Sequence, residues 1–465
     1  MHYNIRRAIY TTMAIISMSA ANAAEPTTVN HPAWADNAVI YEANVRQYTP
    51  QGTFTAFQQQ LPRLKELGAD IIWFMPIHPI SQENRKGELG SYYAVADYKG
   101  VNPEFGSIDD FRATVKKAHD LGMKVIIDWV PNHTGCDNAW VKDHPERYQR
   151  DKDGKMYGPF DWTDVYRLDY SKPETRAAMI DAMAFWLREA DIDGFRCDVA
   201  GMVPVEFWNE ARPALEAVKP GIFMLAEATE PFLMEHAFDM DYNWPMKDLF
   251  NAIAATSGQY TYVAEGETEP HKLPEKYAVD ILDLVAKQND EYPQGSILMN
   301  MVTNHDLNSW EGTEFKRYGN LADAMAVLEF TLPGMPLIYT GQETGMDRAF
   351  EFFKKDTPPE WEPNSYFAFY QKLAELKHQR AELNVGVDAA PLTPIATGSK
   401  NVVAFARIAP NGNSTIVAAN LGTKVEKLKI KSKLNKATDY MTGQAVKSWP
   451  KSLAPGEYFI YTTGD

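Results

Sequence analysis

The sequence predicts an α/β protein: a closed (β/α)8 TIM barrel with a short loop insertion after strand three and a C-terminal all-β sandwich domain. Three observations carry this. From about Val39 onward, short apolar runs alternate with amphipathic helical patterns about eight times, as repeated β-α units do. The runs lack clean polar alternation, which is how parallel strands covered on both faces read. After about Leu383 the helical signal stops and hairpin-like segments follow. An open doubly wound sheet is the alternative for the first part.

In chain order, residues 1–24 read as a signal peptide. Arg6 and Arg7 precede a mostly apolar stretch from Ala8 to Ala20, and Ala21-Asn22-Ala23 offers a small-x-small cleavage site. A secreted or periplasmic protein is expected. Oxidising surroundings would permit, without requiring, a bridge between Cys136 and Cys197; a buried free thiol is the default for Cys197.

Residues 25–383 form the expected barrel. Its strands read as VIYEANV (39–45), DIIWFMP (70–76), KVIIDWV (124–130), DGFRCDV (193–199), IFMLAEA (222–228), ILMNMVT (297–303) and PLIYTGQ (336–342), with AFDMDYN (237–243) a weaker eighth. Ser107 and Asp110 resemble a capping box, Phe111, Val115 and Ala118 share a face with Ile108, and Gly122 supplies a stop. Pro173 opens another helix, with Met179, Met183, Trp186, Leu187 and Ala190 at helical spacing. Between the third and fourth strands, a Trp-, Asp- and Gly-rich insertion covers about 134–171, and its shortness suggests an open cleft. Residues 384–465 read as the β-domain. There VVAFARI and STIVAANL flank a Pro-Asn-Gly-Asn turn, and KVEKLKI (424–430) and EYFIYTT (457–463) add strands.

The formal charge of −16, from 62 acids against 46 bases, argues against nucleic acid or an anionic membrane as a partner. No uninterrupted apolar stretch of about 20 residues occurs, so no transmembrane helix is expected. Two cysteines cannot staple a disulfide-dense scaffold.

Chemistry concentrates where a barrel builds its site, at the C-terminal strand ends. Strand three ends in Asp128-Trp-Val-Pro-Asn132-His133, strand four in Gly194-Phe195-Arg196-Cys197-Asp198, strand five in Ala226-Glu227-Ala228, and strand seven in Asn304-His305-Asp306. Residues two apart on a strand share a face, so Arg196 and Asp198 point together, with Cys197 the other way. A guanidinium beside Asp198 keeps that carboxylate ionised, as a nucleophile requires. A metal held by His133 and His305 lacks a third His or Cys ligand at suitable spacing.

In this arrangement the sequence resembles glycoside hydrolase family 13, the α-amylase family. The family's four short regions correspond to DWVPNH (128–133), GFRCDVA (194–200), LAEA (225–228) and TNHD (303–306). GSYYAVADYKGVNPEFGS (90–107) and LPGMPLIYTGQE (332–343) are also family-like. The resemblance implies Asp198 as nucleophile, Glu227 as general acid/base and Asp306 as the third carboxylate. His133 and His305 would hydrogen-bond the reacting sugar, Tyr93 would stack on it, Arg196 would orient Asp198, and Asp128 would support the arginine. Glu227 must then hold a proton near neutral pH, helped by burial and by Asp198 and Asp306. Asn132 matches a position that ligates calcium in many α-amylases, so a structural Ca2+ is an open expectation, while the chemistry requires no cofactor.

The expected activity is retaining hydrolysis of α-1,4 bonds in starch-derived maltooligosaccharides. The alternatives are an α-glucan transferase or isomerase on the same site, and a non-catalytic carbohydrate-binding protein. Val199-Ala200-Gly201-Met202 stands where many α-amylases carry Lys-His for the leaving sugar. Trp129, Trp140, Tyr157, Trp162, Trp244 and Trp310 are stacking candidates for which core packing serves equally well.

Overall fold

A computed structural model describes residues 25–263, 269–358, 361–362 and 364–464; the expected signal peptide lies outside the described residues. All eight apolar segments become barrel strands, the weak AFDMDYN candidate included. They are β1 (Ile40–Ala43), β2 (Ile71–Phe74), β3 (Lys124–Trp129), β4 (Gly194–Cys197), β5 (Phe223–Ala226), β6 (Met240–Tyr242), β7 (Ile297–Asn300) and β8 (Met335–Tyr339). Each pairs in parallel with its sequence neighbour, and β8 closes on β1.

The continuous apolar runs are explained by two cores. Ile40, Ile71, Ile126, Leu225, Met240, Met299 and Leu337 fill the barrel interior. Alternate residues such as Tyr41, Ile72, Val125, Ile127, Phe195, Met224 and Ile338 face the helical layer. Cys197 belongs to that outer layer, as the alternation with Arg196 and Asp198 requires. Cys136 and Cys197 are both buried and unbridged.

Around the barrel, the Ile108–Asp120 helix begins with the expected reciprocal box between Ser107 and Asp110, and Gly122 turns the chain at φ +77°. Pro173 stands at the first position of the Pro173–Ala190 helix, whose Met179, Met183, Trp186, Leu187 and Ala190 are buried. The insertion after β3 is tied at its base by an antiparallel ladder between His133–Gly135 and Val165–Arg167. It therefore leaves and rejoins the barrel above the β3–β4 ends.

At the C-terminus a six-stranded antiparallel sheet forms around the predicted hairpin of Val402–Ile408 and Ser414–Asn420, with Tyr458–Thr463 beside it. KVEKLKI is not a full strand: only Glu426–Lys427 pairs, with Ser452–Leu453. Val425 is 62% exposed and Leu428 packs only partly on the C-terminal core, so the lysine-rich run gives a long strand little to bury. No described helix is long and apolar enough to cross a membrane.

Candidate active site

Strand register builds the centre of the site. Asp128 of β3 lies directly beside Arg196 of β4, and Cys197 lies beside Ala226 of β5. Just beyond the strands, the Asp198 N–H donates to Trp129 O at 2.8 Å and the Glu227 N–H to Cys197 O at 3.0 Å. The ladder thus carries both carboxylates to the same height on neighbouring strands.

The Arg196 guanidinium is the hub. It donates from Nη1 to Asp128 Oδ1 at 2.9 Å and to Asp198 Oδ1 at 3.2 Å, and from Nε to the Tyr242 hydroxyl at 3.1 Å. Its Nη2 lies 2.7 Å from Glu227 Oε2, and its Cζ stands 5.1 Å from the centre of the Trp73 ring. In the sequence only Asp198 has an arginine two residues away, which by itself would tell nucleophile from acid. The structure corrects this: with β4 and β5 adjacent, one guanidinium reaches both carboxylates. Glu227 Oε2 also accepts the Val199 N–H at 2.9 Å, a donor presented because Val199 adopts φ +39°, ψ +46°. A β-branched residue rarely enters that left-handed region, so the turn after Asp198 stores strain.

Burial pushes the Asp128 carboxyl up to about 6 against the pull of Arg196, which leaves it ionised at neutral pH. Asp128 and Glu227 in turn hold Arg196 charged although it is fully buried.

A second chain of contacts links the remaining residues. The Tyr93 hydroxyl donates to Asp128 Oδ2 at 3.0 Å and lies 2.9 Å from His305 Nε2, with the two rings stacked at 5.6 Å. His305 Nδ1 is 2.5 Å from Glu42 Oε1, and its Nε2 is 3.6 Å from Asp306 Oδ1. Burial lowers the imidazole's affinity for a proton, but Asp306 and Glu42 outweigh it and push His305 up to about 9. His133 behaves oppositely. Burial pulls it down to about 3, and its ring is engaged by the Tyr93 backbone and by the Asn132 amide at 3.1 Å.

The open side of this cluster is a cleft lined by Tyr93, His133, Asp198, Val199, His305 and Asp306. All the sequence-derived site residues therefore meet at one end of the barrel, with Asp128, Arg196 and Glu227 beneath or beside the cleft lining. Among the aromatic candidates, Trp162 and Trp310 line it, whereas Trp129 and Trp244 are buried in core clusters. Trp140 carries Arg147 4.6 Å over its ring.

Sequence reasoning missed Glu42, Tyr242, Lys86, Asp164, Phe352 and Phe353. A carboxylate at the end of β1 was a usable signal for Glu42, because buried acids at barrel strand ends are costly without a task. The others carry no local signature.

Asn132 spends its amide nitrogen on His133, and among the described residues no group of three or more His, Cys, Asp or Glu could hold a metal ion.

The family model of the α-amylase catalytic domain matches residues 22–167 and 149–436. The chain belongs to the α-amylase family of glycoside hydrolases. Within the family, an α-amylase of Lactobacillus plantarum is 30% identical, with a TM-score of 0.79 covering 93% of this chain and 100% of that one. A noncanonic maltogenic α-amylase of Thermotoga neapolitana is 29% identical, also at 0.79, covering 92% and 98%. An α-amylase of Haloarcula japonica is 28% identical over 87% of this chain and 58% of its own length. A cyclomaltodextrinase of Thermoanaerobacter pseudethanolicus is 27% identical over 81% and 64%. The chain thus spans less than two thirds of the length of these last two relatives.

Proposed function

We propose that this chain is an exported, retaining α-glucan hydrolase that cleaves α-1,4 bonds of maltooligosaccharides through a covalent glycosyl-enzyme intermediate. The observation that carries the reading is the single Arg196 guanidinium that holds Asp198 and Glu227 side by side at the ends of β4 and β5. Retaining glycosidases use two carboxyl groups roughly 5 Å apart, one attacking and one protonating. Export rests on Arg6, Arg7 and the Ala21-Asn22-Ala23 site.

In the first step an Asp198 oxygen attacks C1 of the sugar stacked at Tyr93. The C1–O4 bond breaks as Glu227 gives its proton to the leaving oxygen, so Glu227 must turn from Arg196 toward that oxygen. Arg196 keeps Asp198 ionised and aimed. His305, protonated at neutral pH, and Asp306 offer a donor and an acceptor to ring hydroxyls as the ring flattens. In the second step Glu227 takes a proton from water, the water oxygen bonds to C1, and Asp198 leaves as a carboxylate.

A chromatographic time course with maltoheptaose tests the assignment. The wild type should give shorter products, and Asp198→Asn should lose roughly 10⁴-fold or more in turnover while still binding the sugar. An unchanged rate in the variant would remove Asp198 from the mechanism. Products longer than the substrate would assign the chain to glycosyl transfer.

A further inference from the structure

Lys86 lies on the loop between β2 and Tyr93. Its Nζ stands 3.4 Å from Asp164 Oδ1 of the insertion, and both residues line the cleft with Tyr93, Asp198 and Asp306. The loop is anchored on both flanks. Toward the insertion, the Gln82 and Glu83 N–H groups donate to Asp137 Oδ2 at 2.7 and 3.2 Å. Toward β8, the Leu89 N–H donates to Phe353 O at 3.0 Å. Gly87, at φ +61°, lies so close that a Cβ there would sit 2.5 Å from the Phe353 side chain. Phe353 packs on Phe352 at 5.1 Å, and Phe352 on Trp310 at 5.6 Å. A continuous wall therefore runs from the insertion, over Lys86, to the loops after β8 and β7.

The chemistry gives this wall a direction, and the step rests on the hydrolase reading. Glu227 protonates the leaving oxygen, so the leaving sugars lie on the β4–β5 side, past Val199. Donor sugars beyond the one at Tyr93 run the opposite way, toward Lys86, Phe352 and Phe353. The Lys86–Asp164 pair stands across that path.

We propose that Lys86 and Asp164 close the donor end of the cleft, so that the enzyme accepts a non-reducing chain end and acts as an exo-hydrolase with a short donor stretch. The short insertion by itself suggests an open cleft; its Asp164, reaching Lys86, gives the closure. The Lys86 ammonium, one-third exposed, also has N–H donors to offer the terminal sugar's hydroxyls.

The test compares p-nitrophenyl maltoheptaoside with the same compound carrying an ethylidene block on its non-reducing end. The wild type should cleave the free-ended substrate and handle the blocked one roughly tenfold or more slowly. Lys86→Ala should raise the blocked-to-free rate ratio roughly tenfold, and Asp164→Asn should move it the same way. The charge-reversed double variant, Lys86→Asp with Asp164→Lys, should restore discrimination, which a merely structural role would not produce. Equal wild-type rates on the two substrates, or a ratio unmoved in both single variants, would overturn the proposal. Cleavage of neither substrate by the wild type would instead overturn the hydrolase reading on which it rests.

Discussion

Asp128, Arg196, Asp198 and Glu227 sit within one residue of the ends of three adjacent strands, whereas Lys86, Trp162, Trp310 and Phe353 come from four separate loops. The first group is positioned by ladder register and two-residue alternation, rules that act over a few residues. The second is positioned by contacts between segments far apart in the chain, Lys86 with Asp164 and, 266 residues apart, Gly87 against Phe353. The difference separates tasks. On the proposed reading, bond cleavage belongs to the strand ends and chain-end preference to loops that can differ without disturbing the cluster.

The largest expected effect comes from breaking the hub. Arg196→Met leaves Asp128 and Glu227 buried without their cation, and removing one partner of such a network costs about 3–5 kcal/mol. Denaturant unfolding should show that loss, together with abolished activity. A smaller effect is expected from the rim. Trp162→Ala should raise KM for maltoheptaose roughly fivefold, about 1 kcal/mol for a lost ring face, with kcat changed less. If kcat fell and KM held, Trp162 would belong with the strand-end cluster.

A third expected effect is a pH dependence of stability. His305 is raised from 6.5 to about 9 in the folded protein. Its contribution to stability is therefore complete below about pH 6.5 and is lost as pH rises through about 9. Urea melts between pH 7 and 10 should show the decline, flattened in Glu42→Gln, where one of the two acids that raise His305 is gone.

Legibility in the sequence follows the same division. The eight strands, the Ser107 box, Pro173 and the outward Cys197 were readable because each depends on neighbours a few residues away. The convergence of His133, Asp198, His305 and Asp306 followed from placing four motifs at strand ends of one barrel, whereas the Asp128–Arg196 pairing and the place of Tyr93 came from the resemblance to the α-amylase family. The reach of Arg196 to Glu227 was not readable, since it depends on which strands are adjacent and on how far a guanidinium spans. Tyr242 was hidden in the weakest strand signal, and KVEKLKI has the alternation of a strand although its Leu428 packs only partly on the core. The rim residues lack any periodic or motif signal, so only the folded chain brings them together.

The central claim, that Asp198 and Glu227 act as a retaining pair, is tested most directly by proton NMR of the first product released from maltoheptaose. The account predicts that the new reducing end appears as the α-anomer and only later mutarotates. A β-anomer appearing first would mean single displacement by water, and would contradict Asp198 as the nucleophile.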